Sequence, residues 1–305
     1  MVYDREGFGR NAGYVAMYER HCRPYGVAVK TVLDVDVRRR VMAGERPVCA
    51  FVRTIRPELN LFFEQQEIPV FNSSLVSRIC NHKGKTLERL KDLVFCVPSI
   101  TISGEQLSCV LGLDFCQARS YFMDRFEYSA FRERESAVLE QADDFVLKTV
   151  DGHGGSGVFS LNAERKKLLS LYDGGQTEAS SEFVLQPMIR SGGEYRDMRV
   201  YVIGDRIVAA VMRSCSEDFR ANFSRGGKAR HVILEPEQRG IVSRITEEFE
   251  FGMAGIDFLF DRDERLVLNE IEDVAGARML YACAPGIDIV GEYVAYVMEQ
   301  KLKIV

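Results

Sequence analysis

The chain has 305 residues, 46% of them hydrophobic and 28% charged, with a net charge of −5. That balance suits an ordinary globular protein of about two domains and argues against a nucleic-acid footprint over the whole surface. Eight cysteines without a C-x-x-C pair, four scattered histidines, and no apolar targeting or membrane-spanning run argue against a disulfide scaffold, a histidine metal centre and a bilayer protein. The expectation is a cytoplasmic protein with reduced thiols, no nucleic acid and no membrane as partners, and an oligomer possible.

The first quarter alternates helical and extended patterns. Residues 11–22 read as helix, 26–33 and 47–53 as strands, 58–66 as helix and 68–71 as a short strand. Such alternation predicts a small parallel α/β unit. Leu87, Leu90 and Val94 keep helical spacing, and Pro98 opens new extended structure, so a boundary falls near residue 96. Residues 124–142 read as a charged amphipathic helix, followed by strands at 145–150, 157–161 and 183–188. Gly204-Asp205, between the extended runs 199–203 and 206–212, is a strong hairpin signal. Ile241, Ile245 and Phe249 mark one helix face, and residues 288–302 make a terminal helix. The sum is an α/β and α+β mixture with two sheets of different character.

The densest chemistry lies in residues 254–278, AGIDFLFDRDERLVLNEIEDVAGAR. Residues 261–265 are short and polar enough to close a hairpin between two apolar runs. Glu270 and Glu272 are two residues apart on a strand, so they share a face. With Asp261 paired to Leu266, Asp257 falls opposite Glu270 on that face. Three carboxylates together repel unless a cation lies between them, and all-oxygen ligation favours a hard ion such as Mg²⁺. A metal–nucleotide site is the expectation.

A second signal is FVLKTVDGHGGSGVF, residues 145–159. It contains G-x-G-x-x-G, but an extended run rather than a helix follows, so a dinucleotide loop is not predicted. No P-loop motif and no kinase signature occur. A glycine hairpin whose backbone N–H groups face phosphate remains, with a tight turn between core strands as the bland alternative. Lys148 lies in an apolar run, and a buried ammonium needs an anion. Arg213, Arg220, Asn222 and Arg225-Gly226-Gly227-Lys228 form a second basic stretch, suited to phosphoryl oxygens or simply a solvated loop.

Taken together, KTVDGHGGSGV, FVLQPMI, GGEYRDMRVYVIGDRIVAAVMR and EDFRANFSRGG resemble the ATP-grasp superfamily. They are closest to its ribosomal-protein glutamate ligase branch, with glutathione synthetase and D-alanine–D-alanine ligase as more distant likenesses. The resemblance implies an ATP-grasp fold: an N-terminal parallel α/β domain (1–96) and two nucleotide-sandwiching α+β lobes. The central lobe (97–189) would carry the glycine-rich loop with Gly154, Gly155 and Ser156, and the C-terminal lobe (190–305) the metal site. It implies that Lys148 meets the nucleotide, that Gln186, Met188 and Ile189 lie beside adenine, and that Asp197 faces ribose or substrate. Pro187 stands where a glutamate is common. Arg213 and Arg220 would be catalytic, neutralising the transferring phosphoryl group, and Asn222 would lie with them. Asp257, Glu270 and Glu272 would ligate two Mg²⁺ ions, with Mn²⁺ possible.

Two departures stand out. Glu272 occupies the place of the family's asparagine in Glu-x-Asn, and Asp273-Val274-Ala275-Gly276 replaces Ser-Pro-Gly. Arg278 follows, and it either offsets the added charge, holds a substrate carboxylate or makes an ordinary ion pair. The resemblance implies an ATP-dependent carboxylate–amine or carboxylate–thiol ligase that forms an acyl phosphate and releases ADP and phosphate. Its partners would be small-molecule or peptide carboxylates and amines. The alternatives are a small-molecule or sugar kinase on the same lobes and a non-catalytic nucleotide-binding protein. Arg38, Arg39, Arg40, Arg53 and Arg56 in the N-terminal region either meet an anionic substrate or face solvent.

Overall fold

The computed structural model describes residues 1–152, 157–172, 181–190, 195–215 and 228–304. The N-terminal region is a small parallel arrangement. Strand β1 (Val2–Tyr3) pairs with β2 (Val32–Leu33), β3 (Ala50–Phe51) pairs with β4 (Val70–Phe71), and a parallel bridge from Val2 to Val52 joins the two pairs. Its strands are shorter than the apolar runs suggest. Only Val32 and Leu33 of the expected 26–33 strand are in a ladder, because a 3₁₀ turn closes on Gly26 and the chain approaches β1 late. The helices Ala12–Cys22 and Pro57–Gln65 form where the spacing placed them.

The middle of the chain builds a four-stranded antiparallel sheet in the order β5 (Ile100–Ser103), β8 (Glu182–Pro187), β6 (Phe145–Thr149), β7 (Val158–Ser160). Two helices over it, Gly104–Gly112 and Phe115–Met123, begin with capping boxes, Ser103 with Gln106 and Asp114 with Gln117. Both signatures stand in the sequence as a capping residue followed three positions later by glutamine. The expected helix at 124–142 is shorter, Arg132–Gln141. Asp124 already closes the preceding helix, and Ser129 gives its N–H and hydroxyl to Glu135, which holds the chain out of helical register until Arg132.

The last part is a five-stranded antiparallel sheet in the order β11 (Lys228–Val232), β10 (Arg206–Cys215), β9 (Tyr195–Ile203), β12 (Met253–Phe260), β13 (Leu266–Glu272). The β9–β10 turn falls at Gly204, whose φ of +59° is the left-handed conformation that glycine adopts without strain. One face packs on the helix Pro236–Glu248 through Val242 and Ile245, and also on Val76, Cys80, Leu87 and Leu90 from helices Ser74–Cys80 and Lys83–Leu90. The opposite face packs in part on Ile289, Val290, Tyr293 and Val294 of Ile289–Ala295. The chain at Phe95–Val97 runs along β13, with Leu268 N–H donating to Phe95 O and Val97 N–H to Leu268 O. That contact seats the middle sheet beside the last one and leaves a cleft between them.

Candidate active site

The β12–β13 hairpin places Asp257 directly opposite Glu270 and Gly255 opposite Glu272. Its tip is one residue longer than the sequence expectation: Phe260, not Asp261, pairs with Leu266. A bulge between Asp257 and Phe258, taken up by Asn269 on the facing strand, restores the Asp257–Glu270 pairing. The expected juxtaposition therefore holds through a different register. Ligand oxygens of Asp257, Glu270 and Glu272 all lie within 4.8 Å of one another.

Strand β9 adds a residue that the motif reading passed over. Arg199 pairs with Asp257 across the ladder, and its guanidinium donates to both carboxylate oxygens at 2.7 and 2.6 Å. Its remaining nitrogen reaches Glu272 at 2.8 Å. Arg213, on β10, donates to Asp257 at 3.0 Å and also contacts Asp197. Burial alone would push the Asp257 carboxyl up, but Arg199 and Arg213 outweigh it and hold it at about 2. Asp197 has only part of Arg213, and burial raises it to about 6.

The cleft wall opposite supplies two lysines. Lys148 on β6 is buried and donates to Asn269 Oδ1 at 2.7 Å, so the bulge residue faces the middle sheet. Burial, partly offset by Glu270, lowers the Lys148 ammonium to about 8. Lys83 was not among the expected site residues, yet its ammonium is buried, 3.3 Å from Glu270 and 2.5 Å from Gly152 O. Nothing in a local window marks it, because its partners are 69 and 187 residues away. Burial opposes the ionised form of Glu270, and Lys83 and Lys148 still draw it below the ordinary range.

Both sets line one cavity of about 1060 Å³. Val97, Val146, Met188 and Leu259 belong to its apolar lining, with Gln186 and Ile189 also on its wall. Gln186 is buried and donates to Ser99, with its carbonyl oxygen left unpartnered. Thus the structure brings Lys148, Gln186, Met188, Ile189, Asp197, Arg213, Asp257, Glu270 and Glu272 together. Gly154, Gly155, Ser156, Arg220 and Asn222 lie outside the described residues. At the base of the glycine-rich loop Gly157 has φ +74°, and a Cβ there would meet Thr149 Oγ1 at 2.5 Å. No other residue fits that close approach.

Lys83, Lys148, Arg199 and Arg213 balance Asp197, Asp257, Glu270 and Glu272, so the cluster is close to neutral as it stands. A triphosphate entering it needs its own counter-charge, and the convergent carboxylate oxygens are the donor set for a hard divalent cation. The residues therefore fit a metal–nucleotide complex.

Residues 124–297 match the family of RimK-like ATP-grasp domains. A probable alpha-L-glutamate ligase of Histophilus somni (strain 2336) is 32% identical over 268 residues, covering 88% of this chain and 77% of that protein. D-alanine–D-alanine ligase from Bacillus anthracis superposes with a TM-score of 0.64 at 11% identity, covering 100% of this chain and 96% of that one. The ATP-grasp ligase PsnB, solved with Mg, ADP and a phosphomimetic variant of its minimal precursor, gives 0.61 at 16%, covering 98% and 97%. These structural likenesses carry the fold, and the sequence match carries the family. A ligase is favoured over a kinase or a non-catalytic binder. The chain belongs to the RimK-like ATP-grasp family and is an ATP-dependent carboxylate–amine ligase.

Proposed function

We propose that ATP lies in the cleft between a central lobe (97–189) and a C-terminal lobe (190–305), with residues 1–96 completing the acceptor side. Adenine lies against Val97, Val146, Met188 and Leu259, beside Gln186 and Ile189. Lys83 and Lys148 hold phosphate oxygens. Asp197 faces the ribose or the substrate. Gly154, Gly155 and Ser156 would offer backbone N–H groups to the phosphates, and Arg213 and Arg220 would neutralise the transferring phosphoryl group, with Asn222 as a polar partner there.

Asp257, Glu270 and Glu272 would hold Mg²⁺. We read the three carboxylates as a site for two ions, with Mn²⁺ as a substitute of the same hard-oxygen chemistry. When bound, the metal neutralises phosphate charge and fixes the terminal phosphoryl group. Glu272 replaces a neutral amide of the family motif, and Arg199 offsets that added charge through its 2.8 Å contact.

In the reaction, a substrate carboxylate oxygen attacks the γ-phosphorus and ADP leaves, giving an acyl phosphate. A neutral amine then attacks the acyl carbon, the carbon–oxygen bond breaks, phosphate departs, and the nitrogen loses a proton. Arg213, held between Asp257 and Asp197, meets the charge that builds on the transferring group. The substrates are small-molecule or peptide carboxylates and amines. L-glutamate is the first amine to test, since the relative is named a probable alpha-L-glutamate ligase. The reaction belongs in the cytoplasm, where ATP is supplied; among the described residues no helix is long and apolar enough to cross a membrane.

The observation that carries this reading is the convergence of three carboxylates, Lys83 and Lys148 on one cavity. The test is ADP release screened over carboxylate and amine pairs with Mg²⁺, with hydroxylamine added to trap acyl phosphate as a hydroxamate. ADP release that needs a carboxylate and yields hydroxamate supports the ligase. Phosphate transfer to a hydroxyl with no hydroxamate refutes it.

A further inference from the structure

The cavity that holds the carboxylate cluster is also lined by Tyr3, Arg10, Arg53, Thr54, Gly276 and Arg278. The structure sorts the arginines of the N-terminal region. Arg39 pairs with Asp36 at 2.7 Å and Arg40 with Glu45 at 3.2 Å, while Arg38 lies over the Phe62 ring at 4.7 Å. None of the three lines the cavity. Arg56 does, but Asp34 holds it at 2.8 Å.

Arg53 is different. It has no ion pair among the described residues. One guanidinium nitrogen donates to Ala275 O at 2.8 Å, Nε is buried without a partner, and the group lies 5.2 Å from the Tyr14 ring centre. Burial holds the phenols of Tyr3, Tyr14, Tyr18 and Tyr293 above their ordinary range, so they supply no counter-charge. The nearby carboxylate of Asp273 is taken up by Asn81 at 2.6 Å and makes no ion pair with Arg53. Arg278 lines the same cavity, is exposed and has no hydrogen bond or ion pair among the described residues. A guanidinium whose Nε is shut off from water without a partner leaves a donor unmet, and its planar fork matches a carboxylate.

We propose that Arg53 and Arg278 hold a carboxylate of the substrate that does not itself react. The proposal rests on the nucleotide and metal reading above and adds to it the charge of the far end of the substrate. Ala275, whose carbonyl accepts from Arg53, is three residues after Glu272, so their Cα atoms are at most about 11 Å apart. That span suits an amino acid or a short dicarboxylate. The group belongs either to the amine acceptor, as the carboxylate of an amino acid, or to a dicarboxylate donor.

Thermal unfolding of the full chain with Mg·ATP present tests this with matched probes: L-glutamate against 4-aminobutyrate, which lacks the α-carboxylate, and glutarate against butyrate. The expected result is stronger stabilisation by the member with the additional carboxylate in at least one pair. Preference in the first pair assigns the group to the acceptor, and preference in the second to the donor. Arg278→Ala and Arg53→Lys should each weaken the preferred probe at least about tenfold, the scale of a lost charge-assisted hydrogen bond. The stabilisation by Mg·ATP alone should stay as in the unaltered protein. Equal responses within both pairs, or an undiminished response in Arg278→Ala, overturns the proposal. If Arg53→Lys does not fold, the exposed Arg278→Ala decides alone. Absence of any Mg·ATP shift in the unaltered protein strikes the nucleotide reading first, and this inference with it.

Discussion

Arg199 and Asp257 form a two-pronged ion pair inside the sheet, with both carboxylate oxygens bonded at 2.7 and 2.6 Å. The third guanidinium nitrogen extends to Glu272. One arginine therefore keeps two of the three convergent carboxylates apart from their mutual repulsion. Breaking a buried pair from one side leaves an uncompensated charge, which costs more than the pair itself contributes.

Replacing Arg199 with methionine should lower unfolding stability by about 3 kcal/mol or more, measured by urea denaturation in EDTA. Saturating Mg²⁺ should recover more stability in this variant than in the unaltered protein, because the freed carboxylates gain a cation. A variant as stable as the parent in EDTA would contradict the role given to this contact.

Glu270→Ala should reduce ATP-dependent turnover by ~10²-fold or more, on the scale of removing one preorganised charge-stabilising group. The fold should persist, since Glu270 is a partly exposed cleft residue and Lys83 keeps its bond to Gly152 O. Circular dichroism and a single cooperative melt check the fold. Full activity with Mg²⁺ would remove Glu270 from the metal set.

Burial lowers Lys148 from 10.5 to about 8, and a bound phosphate would raise it again. ATP binding above pH 8 should therefore take up a proton, and affinity should fall as pH rises through that value. In the ligand-free protein the unfolded chain binds the extra proton between pH 8 and 10.5, so this group makes stability rise with pH there. Calorimetric titration in buffers of different ionisation enthalpy reads the uptake. Lys148→Met should abolish the uptake and weaken ATP by roughly tenfold or more.

Asp273 follows the last proposed metal ligand and is wholly buried, with Asn81 as a side-chain partner. Burial raises it from 3.8 to about 6. The folded state then binds more protons than the unfolded chain between those values, so its contribution to stability is lost as pH rises through about 6. Asp273→Asn keeps a hydrogen-bond acceptor for Asn81 and cannot ionise. It should gain stability relative to the parent as pH rises from 4 to 7, by up to about 3 kcal/mol, read from denaturation midpoints across that range. A difference independent of pH would show that the carboxyl is not raised.

The chemistry-bearing residues of each local motif were legible because short-range rules place them. Period-two alternation put Glu270 and Glu272 on one face, and the polar tip forced a hairpin that brought Asp257 to them. Helix Ala12–Cys22 and the Gly204 turn follow from spacing and from glycine's conformational freedom. The tertiary structure alone decided the rest. The bulge at Asn269 corrects a hairpin whose tip is one residue longer than the pattern suggests, since pleat and packing fix the register and letters do not. Lys83 and Arg199 enter the site through partners 187 and 58 residues away, a separation no local window spans. Arg53 could be told from its arginine neighbours only once the fold buried its Nε without a partner and left it with no ion pair among the described residues. Sequence supplies the kind of charge at a position; whether that charge is solvated, paired or left facing a cavity depends on what the fold packs around it.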